Sequence, residues 1–457
     1  MGEPGDRGVG IGPSAFAASR SSDRRTGAAR PVTPYVLFAV AFVVPFFDPR
    51  RPFRLLHADI IVLAFFPFYY LRYMDQSRGS LRWAVVVASI GLLYLFARMI
   101  FAAVRPTRHR GPLVPFVPMP LLAIAAVVLI ALHIAFPRLE RPLGLQFRPV
   151  IDVGLSSVLG AQHILNGQEL YGSEAYKHPG NHPDTYGPVT YLAYVPFAYA
   201  LSPQGERAGR ATADSRAARA AADAFDVLAA LGMFLLGRRL APRREGVQLG
   251  IVLAYAWAAY PYTFFATIWA YNDALVALLL VVAVLAISAT VGRGLLVGLG
   301  IASKFTTAIV APLLATAHRP RSTRSVLINL STLVLVVVAL FAPFLPPGGL
   351  SELYDRTIGW QLERRSVSSV WGQFPSIGWL HSLARVGVAA FALAIAFIPK
   401  RKTTPQIAAL GAAAIMLFEL SLRHWLPSYV IWFAPLAFVA VFTTGAQTPE
   451  PREGASN

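Results

Sequence analysis

Residues Gly294–Leu314 read GLLVGLGIASKFTTAIVAPLL. One cation, Lys304, stands about ten residues from either end of a run otherwise made of apolar and small side chains. A run of this length reads as a membrane-crossing segment. In a straight helix rising ~1.5 Å per residue, Lys304 would lie roughly 15 Å deep, beyond easy snorkelling to water. Ionisable groups at that depth face a polar cavity or a partner. In a second reading, Gly298, Gly300 and Pro312 break the segment and leave Lys304 at a helix end in the interface.

The rest of the chain agrees with a membrane setting. It is 55% hydrophobic and only 14% charged, with mean hydropathy +0.53, against about 25% charged for a soluble domain. Apolar runs recur at Trp83–Val104, Pro118–Phe136, Ala222–Leu236, Leu249–Ile268, Ala274–Val291, Val326–Phe344, Val386–Ile398, Gln406–Leu422 and Tyr429–Phe442. Val36–Phe47 and Ile60–Tyr73 are shorter and carry Pro45 and Pro67, and Tyr191–Leu201 adds a further candidate. The expectation is an all-α polytopic membrane protein of about 11–13 spans. With no cysteine, disulfides and thiolate metal sites are excluded.

The net charge of +18 does not indicate nucleic acid. Basic residues cluster in short loops, as at Arg50–Arg54, Arg105–Arg110, Arg238–Arg244, Arg319–Arg324 and Lys400–Lys402. That is the positive-inside pattern, with binding to anionic membrane lipids. Residues 1–34 are expected to be a disordered cytoplasmic tail, 35–444 one transmembrane domain, and 445–457 a second disordered tail. Two longer segments, 137–186 and 345–381, then fall outside the cell with surface helices of their own. The segment Ser202–Ala221 reads as a loop. An Arg- and Ala-rich composition with few lysines suggests a GC-rich bacterium, hence a multi-pass protein of its plasma membrane.

Chemistry-bearing residues concentrate in a few places. In FRPVIDVGLSSVLGAQHILNGQELYG, Phe147–Gly172, the stretch Val153–Asn166 has helical spacing. Asp152, Ser156, Leu159 and His163 fall near one face, and Asn166-Gly167 is a stop signal. Asp152 suits an N-cap, and a carboxylate at a cavity mouth can also accept a proton from a hydroxyl. Asn272-Asp273 reads as a helix cap or as a contact to sugar hydroxyls. Arg364-Arg365, among Trp360, Trp371 and Trp379, reads as a lipid-headgroup anchor or as a phosphate clamp. Arg423-His424 is an interfacial anchor or places a cation at the cavity rim. His163, His178, His182 and Asp184 match no zinc signature, so no metal is expected. Walker A, dinucleotide-binding and GxSxG motifs are absent from the sequence.

Four stretches together resemble the GT-C superfamily of polytopic glycosyltransferases, and most closely its actinobacterial polyprenyl-phosphate-mannose-dependent mannosyltransferases (glycosyltransferase family 87). These are the Asp152 loop ending NGQELYG, the stretch DTYGPVTYLAYVPFAYAL (Asp184–Leu201), AYPYTFFATIWAYNDALVALL (Ala259–Leu279) and ASKFTTAIVAPLL (Ala302–Leu314). The resemblance implies a GT-C-like fold and transfer of a sugar, mannose by the closest likeness. The donor would be a polyprenyl-phosphate sugar and the acceptor a cell-envelope lipid or glycan, with inversion and no cofactor. It implies Asp152 as general base in the first outer loop. The departing phosphate needs cations, for which Lys304, Arg364, Arg365 and His424 are the candidates. His163, Tyr171, Tyr186, Asn272 and Asp273 are the candidate substrate contacts. Two departures stand out: more spans precede the catalytic loop than in many GT-C proteins, and the loop has one acid where others pair two. The rival readings are a transporter or flippase of lipid-linked sugars, and a GT-C fold without activity.

Overall fold

The computed structural model describes residues 33–65, 69, 78–105, 112–139, 150–172, 184–202, 207–317 and 322–443. The tails and, within 137–186, residues 140–149 and 173–183, with them His178 and His182, lie outside the described residues. Over the described residues the chain is 80% helical with no strand. In chain order the helices are α1 (Thr33–Val43), α2 (Leu55–Ala64), α3 (Arg78–Val104), α4 (Met119–Leu139), α5 (Asp152–Leu165), α6 (Pro188–Leu201) and α7 (Arg207–Leu240). Then come α8 (Arg243–Ala259), α9 (Pro261–Ile268), α10 (Asp273–Leu285), α11 (Thr290–Ile301), α12 (Ala311–Ala315) and α13 (Thr323–Phe341). The second long loop holds α14 (Gly349–Tyr354), α15 (Trp360–Glu363) and α16 (Val370–Gln373), followed by α17 (Trp379–Phe397), α18 (Thr404–Ser421) and α19 (Val430–Thr443).

This is an all-α polytopic membrane protein. Among the described residues, six helices are long and apolar enough to cross a bilayer, or seven with α8 and α9 counted as one span bent by 55°. That is fewer than the 11–13 spans expected, because several apolar runs are divided. Pro261 has no N–H to give and bends α8 from α9. The run at Ala274–Val291 ends at Leu285 and restarts at Thr290. Gly294–Leu314 stops at Ile301, passes through extended Lys304 (φ −139°, ψ 130°), and resumes as a 3-10 turn over Phe305–Val310. The straight helix through Lys304 is therefore corrected to a broken one. Apolar side chains cover the outside: Val127 of α4 is 70% exposed and Leu335 of α13 is 68% exposed. Lipid is the solvent that suits such faces.

The segment expected as a loop at Ser202–Ala221 mostly belongs to α7, because its alanine and arginine run has high helix propensity. Three acids on α7 tie it to its neighbours. Asp214 accepts from Gln162 of α5 at 2.8 Å and from Ser202. Asp223 pairs with Arg138 of α4 at 3.1 Å. Asp226, fully buried, bonds His133 of α4 at 2.7 Å and the Trp257 indole of α8 at 2.8 Å.

A helix interrupted in an apolar medium must satisfy its freed backbone groups within the protein. Here interruptions satisfy one another. The Gly187 and Val189 N–H groups donate to the Ser303 and Ala302 carbonyls at 3.0 and 2.9 Å, and the Thr190 hydroxyl donates to Ser303 O at 3.0 Å. The Ile151 N–H donates to Trp269 O at 3.1 Å. A Cβ on Gly187 would lie 2.1 Å from Ala302 O. Gly187→Ala should therefore destabilise the fold by ~1–3 kcal/mol and lower the melting temperature in detergent. Gly387→Ala, on an exposed face of α17 with nothing within 4 Å, should be neutral or slightly stabilising.

Candidate functional site

The site forms where these interruptions meet. Helix α5 begins with Ile151 as its cap residue and Asp152 as its first helical residue, so the expected N-cap role moves one residue upstream. The Asp152 carboxylate accepts from the Val153 N–H at 2.9 Å and stays exposed at the positive end of the helix. Gly154 lets the start of α5 sit on the α9–α10 turn, since a Cβ there would be 2.4 Å from Ala270 O. Helix α5 is packed into α6 and α7 along a face that includes Gly154, Ser157, Ala161 and Gln162, so it is not simply laid on the membrane surface.

In that turn Ala270 adopts φ +55°, which for a residue with a Cβ costs about 1–2 kcal/mol. The turn delivers Asn272 and Asp273 to the interior, both 1% exposed. The Asn272 amide donates to Ser157 Oγ of α5 at 3.1 Å, while its buried Oδ1 has no hydrogen-bond partner among the described residues. Asp273 Oδ1 accepts from Lys304 Nζ and, at 2.8 Å, from the Trp432 indole of α19. Lys304 Nζ also lies 5.1 Å from the Tyr186 ring centre and 5.3 Å from that of Trp432. The lysine is thus buried, as the first reading of its run requires, and placed at a helix break, as the second requires.

Arg364 enters from the second long loop. It is half-buried and lies near enough to act electrostatically on Lys304, Tyr186, Tyr429 and His424. Asp152 acts on the same two tyrosines. Burial pushes the Tyr186 phenol well above its usual range; Tyr429, Asp152 and Asp273 add to this, and Arg364 opposes it. The phenol therefore stays protonated near neutral pH. Asp152, Asp273, Lys304, Arg364, Tyr186 and Tyr429 share one electrostatic neighbourhood.

The other expected contacts lie differently. Arg365 is exposed, whereas Arg364 stacks near Trp360 at 6.0 Å. Burial first, and then Arg364, push the His424 imidazole down to about 3, so it is neutral at pH 7 and offers a hydrogen bond in place of the cation expected. His163 Nδ1 meets Glu169 O at 2.8 Å, and the Tyr171 hydroxyl donates to Tyr186 O at 2.8 Å. Both shape the loop that carries Tyr186. Trp371, expected among the headgroup anchors, donates to Leu420 O at 2.9 Å.

Sequence reading missed the clamp that holds the two long loops together. Asp184, 1% exposed, pairs with Arg356 at 2.9 Å, and Gln361 donates to Thr185 at 2.7 Å. Arg356 also pairs with Glu352 at 2.8 Å. Nothing in the pattern links positions 172 residues apart. Nor does anything in the pattern mark Trp432, whose indole reaches Asp273.

Comparison with known proteins finds no matching family model and no matching curated protein.

Removing one member of a buried ion pair costs about 3–5 kcal/mol, and removing both costs less than the sum. Lys304→Met and Asp273→Leu should each lower the detergent melting temperature strongly, and the double variant should recover part of the loss. Protonation of His424 gives a second check. Its folded value lies below the unfolded value of about 6.5, so the unfolded chain takes the proton first. Stability is lost as pH falls from about 6.5 toward 3, by at most ~1.4 kcal/mol per pH unit. His424→Gln should flatten that slope in pH-dependent melts.

Proposed function

We propose that the chain is a membrane glycosyltransferase that moves a sugar from a polyprenyl-phosphate donor to a hydroxyl of a cell-envelope lipid or glycan, on the outer side of a bacterial plasma membrane. Mannose is the sugar implied by the family resemblance. The observation that carries the reading is a carboxylate and a cation set about the same two tyrosines. Asp152 is exposed, Arg364 is half-buried, and both act on Tyr186 and Tyr429 beside the Lys304–Asp273 pair.

In this reading Asp152 takes the acceptor's proton as its oxygen attacks the anomeric carbon. The bond from that carbon to the phosphate oxygen breaks, with inversion, and the lipid phosphate leaves as an anion. Arg364 stabilises the departing charge. Lys304, already neutralised by Asp273, contributes hydrogen-bonding capacity more than net charge. In this reading the polar head comes to the interrupted helices while the polyprenyl chain stays in lipid.

A broken helix carrying a buried ion pair is also a transporter feature, which keeps lipid-linked-sugar translocation as a second reading. The deciding assay is transfer of radiolabelled mannose from polyprenyl-phosphate-mannose to envelope lipid extract by the full chain in nanodiscs. Wild type should transfer label, and Asp152→Asn should be slower by about 10²–10⁴-fold at unchanged melting temperature. Equal rates would remove Asp152 from the chemistry. Inactivity of both, with translocation in sealed vesicles intact, would favour transport.

A further inference from the structure

Tyr429 lies beside this site and has no task in the reaction so far. It closes the 3-10 turn Pro427–Tyr429 that leads into α19. Its ring stacks on Trp432 with centroids 4.1 Å apart and planes within 18°. Trp432 is 4% exposed and is fixed from behind by its indole bond to Asp273. One face of Tyr429 is therefore covered by a rigid partner, while the residue as a whole is only half-buried. The hydroxyl makes no hydrogen bond to any described residue. Four titratable groups from four segments act on it: Arg364, Asp273, Glu419 and Asp152.

These observations specify a ligand. An aromatic face held in place, with a free phenol at its edge, suits a ring with C–H groups on its faces and hydroxyls around its rim. Lys304 beside it is balanced by Asp273, and a stacking face with a phenol hydroxyl carries no net charge of its own, so a neutral ring suits it better than an anionic one. We propose that Tyr429 is the sugar-contact residue of the cleft, stacking against a neutral pyranose and hydrogen-bonding one of its hydroxyls. This rests on the glycosyltransferase reading for the presence of a lipid-linked sugar. Trp432 is a positioning residue that presents the tyrosine ring.

The test uses tryptophan fluorescence of the full chain in nanodiscs, titrated in parallel with polyprenyl phosphate and polyprenyl-phosphate-mannose. Wild type should bind the mannosylated lipid more tightly than the bare one. Tyr429→Ala should erase that preference, a loss of roughly tenfold in affinity for the mannosylated lipid, with polyprenyl-phosphate affinity unchanged. Tyr429→Phe, which keeps the stack and folds without a cavity, should retain most of the preference and lose only the hydroxyl's share. If Tyr429→Ala keeps the wild-type preference, the sugar contact lies elsewhere and the proposal fails while the lipid-linked-sugar reading stands. If wild type itself binds both lipids equally or neither, the glycosyltransferase reading of the cleft fails and the proposal falls with it.

Discussion

A lysine and an aspartate buried together in an apolar bundle set the terms for the rest of this structure. Neither charge survives alone at that depth, because each would lose its hydration without compensation. Asp273 reaches Lys304 only because the chain turns through a left-handed Ala270, and Lys304 reaches Asp273 only because its own span breaks after Ile301. The Trp432 indole completes the aspartate's coordination and fixes the start of α19 to the same point. Three distant parts of the sequence are thus held by one carboxylate oxygen.

The breaks that this pairing requires create a second demand. Backbone groups released from helices have no water to turn to in a bilayer interior. They are satisfied by each other, Gly187 and Val189 on the 302–303 carbonyls and Ile151 on Trp269. The glycines at 154 and 187 permit contacts so close that a methyl group would meet a carbonyl oxygen. The result is a region of polar backbone and charged side chains inside an apolar shell, with Asp152 and Arg364 at its edge. Pre-set polar groups of this kind stabilise developing charge without reorganising.

Much of this was legible in the residues. The depth of Lys304 within an apolar run marked it as paired, and Asn272-Asp273 stood out by type and position. The α5 helix ends where Asn166-Gly167 predicts, with Gly167 at φ +64°. Other features were illegible for definite reasons. Counting apolar runs overestimates spans when a run contains a break, because hydropathy does not report backbone direction. The alanine-rich start of α7 is too polar to score as membrane, yet its propensity is helical. His424 looks like a cation in sequence, but burial beside Arg364 removes its charge. The Asp184–Arg356 clamp joins residues on two loops with no local signal in either.

The sequence by itself determined the solvent and the element type. Long apolar runs with short basic loops require lipid around them, and in lipid a chain without strands must be helical to satisfy its backbone. It also determined which charges would need partners. Only the tertiary structure decided the partners: Lys304 with Asp273, Arg364 half-buried while Arg365 is exposed, and Tyr429 on Trp432. Pairing between distant segments depends on where helices stop and how they turn. Those stops are fixed by close backbone contacts between segments, which no single stretch of sequence contains.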